Sequence, residues 1–170
     1  MRVVRGSPNP RYFGMPSRLK AARERQAMTR MALADKAGTS DATIGYLESK
    51  QRVPSVGTIV RLAAALSVSA AWLAFGLDDS SRTDGNESSA GMGERLLAAR
   101  HERGYSKASL AADAHITPGS ILGIERGGQA GLDTVEALAK ALGMSPAWLA
   151  FGVGPRELPP RRRVRPAVAG

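Results

Sequence analysis

The chain has 170 residues, with 24 Lys or Arg against 15 Asp or Glu, a net charge of +9, two His and no Cys. Without Cys, neither a disulfide framework nor a thiolate metal site can form, and two His are too few for a metal site built from His alone. No apolar run approaches the roughly 18 residues that cross a membrane, and the N-terminus lacks the apolar core of a signal peptide. We therefore expect a cytoplasmic protein with no membrane contact, no metal and no cofactor.

Helical patterns begin after an irregular N-terminal segment. Residues 1–16 carry Arg and Pro without an apolar period, which predicts a disordered basic arm. A first helix is expected from about Ser17, and a fourth from about Ser55, after the break that Pro54 imposes. Met31 of the second helix is expected to face the core. The second, third and fifth helices are each preceded by a residue that is a good N-cap, namely Thr29, Ser40 and Ser69.

The segment after these five helices separates two copies of one pattern. Residues 78–93 are rich in Ser, Gly, Asp and Asn and predict a flexible acidic linker. It can extend to about 50 Å and averages about 22 Å as a coil. The pentapeptide WLAFG occurs on both sides of it, at Trp72 to Gly76 and at Trp148 to Gly152. Matches at fixed spacing precede each copy, which indicates two copies of one folding unit.

We call residues 17–77 the first domain and residues 94–153 the second domain. Four residues are placed to cap helices of the second domain, Ser106, Thr117, Asp133 and Ser145. Pro118 and Pro146 fall at first helical positions, where proline costs little. Residues 154–170 predict a disordered tail rich in Arg and Pro. The expected fold class is all-α, with two tandem five-helix domains.

The two domains differ in charge. Residues 18–77 contain nine Lys or Arg against four Asp or Glu, a balance of +5, whereas residues 94–153 contain six of each and are neutral. An excess of positive charge favours contact with phosphates. The first domain is therefore the better candidate for binding nucleic acid.

Two long motifs carry a resemblance to a known family. The first domain contains T-R-x-x-L-A-x-x-A-G-T-S-x-x-x-I-x-x-L-E from Thr29, and the second contains S-K-x-x-L-A-x-x-A-x-I-T-x-x-x-I-x-x-I-E from Ser106, each followed by A-W-L-x-x-G. They resemble the Xre/Cro-like, or lambda-repressor-like, helix-turn-helix family known from phage repressors. The resemblance implies two tandem domains that place one helix in the major groove of double-stranded DNA. It also implies structural ion pairs within each domain, Arg23 with Glu48 and Arg100 with Glu125.

The resemblance assigns candidate DNA contacts to the first domain. Base contacts are expected from the start of the second helix and the exposed side of the third, at Arg30, Asp41, Ala42, Thr43 and Tyr46. Asp41 has two interpretations, because a carboxylate there can accept from cytosine or complement the helix dipole, and we favour the second. Phosphate contacts are expected from helix starts and from the loop after the third helix, at Thr29, Ser40, Lys50, Gln51 and Arg52.

The second domain departs from the pattern where base reading is expected. The equivalent positions are Pro118, Gly119, Ser120 and Gly123. Weaker DNA contacts are expected there from Lys107, Ser120, Arg126 and Gln129. His115 replaces the Gly of the turn, where a positive φ is expected and His is tolerated. Dimer or interdomain contacts, beside a role in the core, are expected from the aromatic residues of the repeated pentapeptide, Trp72, Phe75, Trp148 and Phe151.

We therefore predict a cytoplasmic, nucleoid-associated regulator that binds double-stranded DNA, specifically a repressor of the phage or mobile-element kind. The first domain is expected to supply most base contacts, while the second forms a homodimer, binds another protein partner or adds non-specific contact. An intramolecular pseudo-dimer is the competing arrangement. The alternative function is an antiactivator or antitoxin-like factor whose second domain binds a partner protein. No residue constellation indicates an enzyme or a small-molecule ligand.

Overall fold

The structure is a computed structural model that describes residues 11–77 and 91–157. Ten α-helices account for most of these residues, and the described part of the chain contains isolated bridges but no strand. The first domain holds α1 (Met15–Arg25), α2 (Arg30–Ala37), α3 (Asp41–Glu48), α4 (Val56–Leu66) and α5 (Ala70–Phe75). The second holds α6 (Met92–Glu102), α7 (Lys107–Ala114), α8 (Pro118–Glu125), α9 (Leu132–Leu142) and α10 (Pro146–Phe151). The predicted all-α fold with two tandem five-helix domains is confirmed.

Most predicted caps are confirmed, and one is wrong. The hydroxyl at each of six helix starts accepts a hydrogen bond from the N–H three residues on, at Thr29, Ser40, Ser69, Ser106, Thr117 and Ser145. Asp133 does not cap α9. The N-cap of that helix is Gly131, and the Asp133 carboxylate accepts from the neighbouring Thr134 N–H at 2.8 Å.

The ends of the two domains differ from the prediction. A 3-10 turn (Arg11–Gly14) precedes α1, which begins at Met15 rather than Ser17. Burial of Met15 explains this early start, together with Pro16 in the first turn, where a missing N–H costs nothing. At the other end, residues 154–157 belong to the second domain, because Glu157 forms a β-bridge with Met144. Helix α6 begins at Met92, inside the predicted linker of residues 78–93. Residues 1–10, 78–90 and 158–170, which make up most of the predicted arm (1–16), linker and tail (154–170), lie outside the described residues.

The pentapeptide helix of each domain is fixed to the first helix by an arginine. Arg18 Nε donates to Leu73 O at 2.9 Å, and Arg95 Nε donates to Leu149 O at 3.0 Å. Each guanidinium thus satisfies a carbonyl near the end of a short helix, where no backbone donor is available. Burial lowers the pKa of both side chains. These two clamps hold α5 on α1 and α10 on α6.

The final glycine of the pentapeptide is required by its backbone and by the clamp. Gly76 has φ +70°, and a Cβ there would lie 3.0 Å from a terminal nitrogen of Arg18. We expect Gly76→Ala to lower the free energy of unfolding by about 1–2 kcal/mol, the cost of a left-handed residue with a side chain. Urea denaturation would measure this. Gly123→Ala is the matched control, since helical Gly123 has open space around it and should gain up to about 1 kcal/mol. Equal effects of the two changes would contradict this account of Gly76.

The two domains pack against each other. Helix α5 contacts α10, the rings of Phe75 and Phe151 lie 6.1 Å apart between centroids, and the 3-10 turn contacts α9. Burial and the carboxylates of Asp133 and Glu136 on α9 raise the pKa of Tyr12 in that turn. Buried apolar residues of both domains belong to one core cluster. None of the helices in the described ranges is long and apolar enough to span a membrane.

Candidate nucleic-acid interface

Helices α2 and α3 form a helix-turn-helix element in the first domain. They contact each other across a turn in which Gly38 has φ +62°. The inner faces of the two helices bury Leu33, Ala34, Ile44 and Leu47. Burying these side chains fixes the angle between the helices and leaves the other face of α3 available to a ligand. Met31 was predicted to face the core, but it is 64% exposed at the start of α2.

Arg30 extends from the start of α2 onto the outer face of α3. Its Nε lies 3.6 Å from Asp41 Oδ1, and a Cβ on Gly45 would lie 3.2 Å from one of its terminal nitrogens. The side chains of Arg30 and Asp41 are 52% and 43% exposed, so the ion pair contributes at most about 1 kcal/mol. Asp41 thereby orients the guanidinium without binding it firmly, and a stronger anion can displace the carboxylate.

Thr43 and Tyr46 present hydrogen-bonding groups on the same helix. Thr43 Oγ1 lies 2.9 Å from Ser40 Oγ, which also accepts from the Thr43 N–H at 3.2 Å. The Tyr46 ring is 46% exposed and Ala42 beside it is exposed. A hydroxyl, a methyl group and an aromatic edge on one helix are suited to the mixed polar and apolar edges of bases in the major groove.

The loop after α3 carries two exposed cations and an exposed amide. Lys50, Gln51 and Arg52 are all exposed, and Lys50 has φ +64°. The Arg52 guanidinium lies 5.8 Å from the centroid of the Tyr46 ring, which is within range of a cation–π contact. This contact connects the loop to α3. The predicted phosphate contacts Thr29 and Ser40 are the exposed N-caps of α2 and α3.

The equivalent face of the second domain is differently built. Ser120 is exposed and its Oγ lies 2.9 Å from Thr117 Oγ1, while Gly119 and Gly123 present no side chain. Lys107 Nζ lies 3.7 Å from Glu125 Oε2, so this cation is directed to a buried carboxylate rather than along α8. The chemistry that could contact bases is therefore reduced to one hydroxyl on α8.

Two of the predicted second-domain contacts fall in different places. Arg126 follows α8 directly and is exposed. Gln129 was predicted to contact DNA, but its Oε1 accepts from the Gly57 N–H of the first domain at 3.1 Å. Its amide oxygen therefore joins the two domains, and the DNA contact of Gln129 stays a prediction. No sequence pattern distinguished it from the exposed polar residues around it.

The ion pairs implied by the resemblance are formed in both domains. Arg23 Nε donates to Glu48 Oε1 at 2.7 Å, and Arg100 Nε donates to Glu125 Oε1 at 2.7 Å. Each arginine also donates to a backbone carbonyl just beyond its own helix, that of Met28 or of Tyr105. The hydrogen bond to Glu48 raises the pKa of Arg23. Each pair joins the first helix of its domain to the end of the third, α3 or α8.

The aromatic residues of the pentapeptide divide between two environments. Phe75 and Phe151 are buried and face each other across the domain boundary. Trp72 and Trp148 are partly buried against the core, and the Arg156 guanidinium covers the Trp148 ring at 4.9 Å from its centroid. Arg18, Arg95 and Arg156 had no assigned role among the residues predicted from the sequence. The first two could have been found, because they occupy equivalent positions in the repeat and precede the same apolar pattern.

Comparison with known proteins identifies a family for both domains. A family model described as Helix-turn-helix matches residues 19–73 and again residues 96–149. No curated protein and no solved structure gives a significant match. The described residues contain no cluster of three or more His, Asp or Glu side chains suited to a metal ion.

Proposed function

Because the chain belongs to the helix-turn-helix family, whose members are DNA-binding transcription regulators, we propose that it is a sequence-specific repressor of transcription whose first domain is the main reader of the major groove. The observation that carries this proposal is the outer face of α3. That face combines Thr43 and Tyr46 with the guanidinium of Arg30, whereas the equivalent face of α8 carries Ser120 and two glycines.

Base recognition by α3 follows from the chemistry of its exposed groups. Arg30 can donate two hydrogen bonds to the acceptors of a guanine once the carboxylate of Asp41 is exchanged for them. Thr43 offers a hydroxyl to a base and a methyl group to a thymine, and Tyr46 offers a hydroxyl or packs on a sugar. Good bidentate base contacts discriminate by about 1–3 kcal/mol each, so few of them suffice for specificity.

Repression is the regulatory direction that this architecture supports best. A protein bound in the major groove at a promoter blocks RNA polymerase sterically. It needs no contact with the polymerase itself. The net charge of +5 on residues 18–77 supplies the sequence-independent attraction to DNA on which such occupancy depends. Lys50 and Arg52, exposed in the loop after α3, are the phosphate contacts that we assign to this attraction.

Binding of the full-length chain to fragments of the source genome across a salt series tests the proposal. We expect a small set of fragments to be retained, with an affinity that falls steeply as salt rises, because phosphate contacts release counterions. Retention of no specific fragment at any salt would refute DNA recognition. The neutral second domain would then favour the alternative in which this fold holds a protein partner.

The same assay separates phosphate contacts from base contacts. Replacing Lys50 or Arg52 by Ala should weaken binding to every fragment about equally. Each change should also reduce by about one the slope of log affinity against log salt concentration. Lys140→Ala is the matched control, because Lys140 is exposed in the last turn of α9, the helix end opposite to the interdomain bridge. This control should leave the slope unchanged. A change in fragment preference for the Lys50 variant would contradict its role as a phosphate contact.

A further inference from the structure

The two domains contact each other through equivalent residues of the repeat. From Pro54 onward a residue of the first domain corresponds to the residue 76 positions later, as Trp72 corresponds to Trp148. Ser55 forms an antiparallel bridge with its own equivalent, Gly131. The Phe75 ring likewise lies beside that of its equivalent, Phe151. An antiparallel contact between a residue and its own counterpart is what a two-fold axis produces.

The hydrogen bonds of the bridge obey the same symmetry. The Val56 N–H donates to Ala130 O at 2.9 Å, and the Leu132 N–H donates to Pro54 O at 3.1 Å. Leu132 is the equivalent of Val56, and Ala130 is the equivalent of Pro54. The pair of bonds is therefore reciprocal, as in the interface of a symmetric dimer. The chain is built as a two-fold pair of helix-turn-helix domains.

The bridge lies a short distance along the chain from both recognition helices. Ser55 lies six positions after Ser49, at the end of α3, and Gly131 lies five positions after Arg126, at the end of α8. At the maximum reach of about 3.6 Å per residue, the two helix ends lie no more than about 45 Å apart. Half-sites on one face of DNA are about 34 Å apart. The bridge thus keeps the two recognition helices within range of one helical turn.

We infer that a single chain occupies a DNA site of two unlike halves, reading bases through α3 in one half and holding only the backbone through the second domain in the other. This inference rests on the proposed function. The second domain offers the exposed Arg126 and the exposed helix caps Ser106 and Thr117 to phosphates. Gly119 and Gly123 leave its α8 without the side chains that would demand particular bases.

The interdomain contacts also supply what a second copy of the chain would otherwise provide. Phe75 and Phe151, which lie on equivalent helices, are buried against each other within one chain. The bridging donors at Val56 and Leu132 are likewise satisfied within the chain. The two-fold unit is therefore complete with one copy, and we expect one chain on each DNA site.

The test begins with duplexes that the full-length chain selects from random-sequence DNA. Light scattering on the complex should give one chain per duplex. Removing about 10 base pairs from the end that lies under the second domain should weaken binding about tenfold. Changing the bases of that half, with its phosphates kept, should change the affinity less than about threefold. Shortening or changing the other half should abolish specific binding.

The variant Arg126→Ala identifies which domain lies over the half of the duplex whose bases can be changed with little loss of affinity. Arg126→Ala should weaken binding to the full duplex by about threefold to fivefold and should bind the shortened duplex as well as the unchanged chain does. Lys140→Ala is again the matched control and should not change binding to either duplex. If Arg126→Ala weakened both duplexes equally, the second domain would not occupy the outer half and the inference would be wrong.

The outcomes separate this inference from the function on which it rests. Two chains on each duplex, equal base requirements in both halves, or an affinity unchanged by shortening would overturn the one-chain site while leaving specific DNA binding in place. Failure of the selection to enrich any sequence would instead refute the proposed function itself. In that case the domain arrangement would have to serve another ligand.

Discussion

Replacing Arg30 and Thr43 together by Ala should weaken binding to a selected DNA fragment by about 100-fold, which corresponds to two lost base contacts of about 1–3 kcal/mol each. Arg30 lies on the outer face of α3 beside Asp41 and Gly45, and Thr43 lies on the same helix. Both side chains are surface groups, so the fold should persist. Fluorescence anisotropy with the specific fragment and with a scrambled one of equal length would measure the loss, which should be much smaller on the scrambled fragment.

The second domain contains the matched control for this experiment. Lys107 and Ser120 are the equivalents of Arg30 and Thr43, but Lys107 is paired with Glu125, and Ser120 follows Gly119 directly. Replacing both by Ala should weaken specific binding by less than about tenfold, the order of one lost base contact or less. Equal losses from the two double variants would show that both recognition helices read bases, and the assignment of base reading to the first domain would then be wrong.

Glu125→Ala should lower the free energy of unfolding by about 3–5 kcal/mol, the usual cost of leaving one member of a buried ion pair without its partner. The side chains of Arg100 and Glu125 are each 6% exposed and lie 2.7 Å apart. Loss of the carboxylate leaves the Arg100 guanidinium buried with its charge uncompensated, and also removes the partner of Lys107. Urea denaturation followed by circular dichroism would measure the change.

A surface carboxylate provides the comparison for this stability prediction. Glu24 lies 3.7 Å from Arg23 and is 56% exposed. Glu24→Ala should therefore change stability by less than about 1 kcal/mol. A loss of similar size in the two variants would mean that burial is not what makes Glu125 important. Glu48→Ala, whose side chain is 11% exposed, should fall between them.

The fold could be predicted because several independent patterns agree at each helix. Capping residues at Thr29, Ser40 and Ser69, apolar spacing and the duplicated pentapeptide all indicated the same five-helix unit. Local patterns failed where packing decided the outcome. The helix start at Met15 depends on burial against the rest of the domain, and Met31 is exposed although it fits an apolar period.

Candidate DNA-contacting residues could be assigned from the sequence, but the contacts among them could not. The resemblance to the helix-turn-helix family assigned Arg30, and the apolar period of the third helix indicated which of its positions lie outside the core. Neither could show that Gly45 leaves room for the Arg30 guanidinium, or that Gln129 reaches the first domain. The first depends on the rotamer that Arg30 adopts, and the second joins residues that are distant in sequence. Composition and spacing contain no information about rotamers or about such long-range contacts.

The backbone bridge between Ser55 and Gly131 changes how occupancy of DNA should depend on the amount of protein. A regulator that assembles from two separate chains loses its paired form on dilution, so occupancy falls with the square of concentration when dimers are scarce. A pair joined within one chain does not dissociate, and its occupancy follows the first power of concentration. The response of a controlled promoter to the level of this protein should accordingly be graded rather than steep. A mutation in α3 would also change the bases preferred in one half of the DNA site and leave the contacts to the other half unchanged.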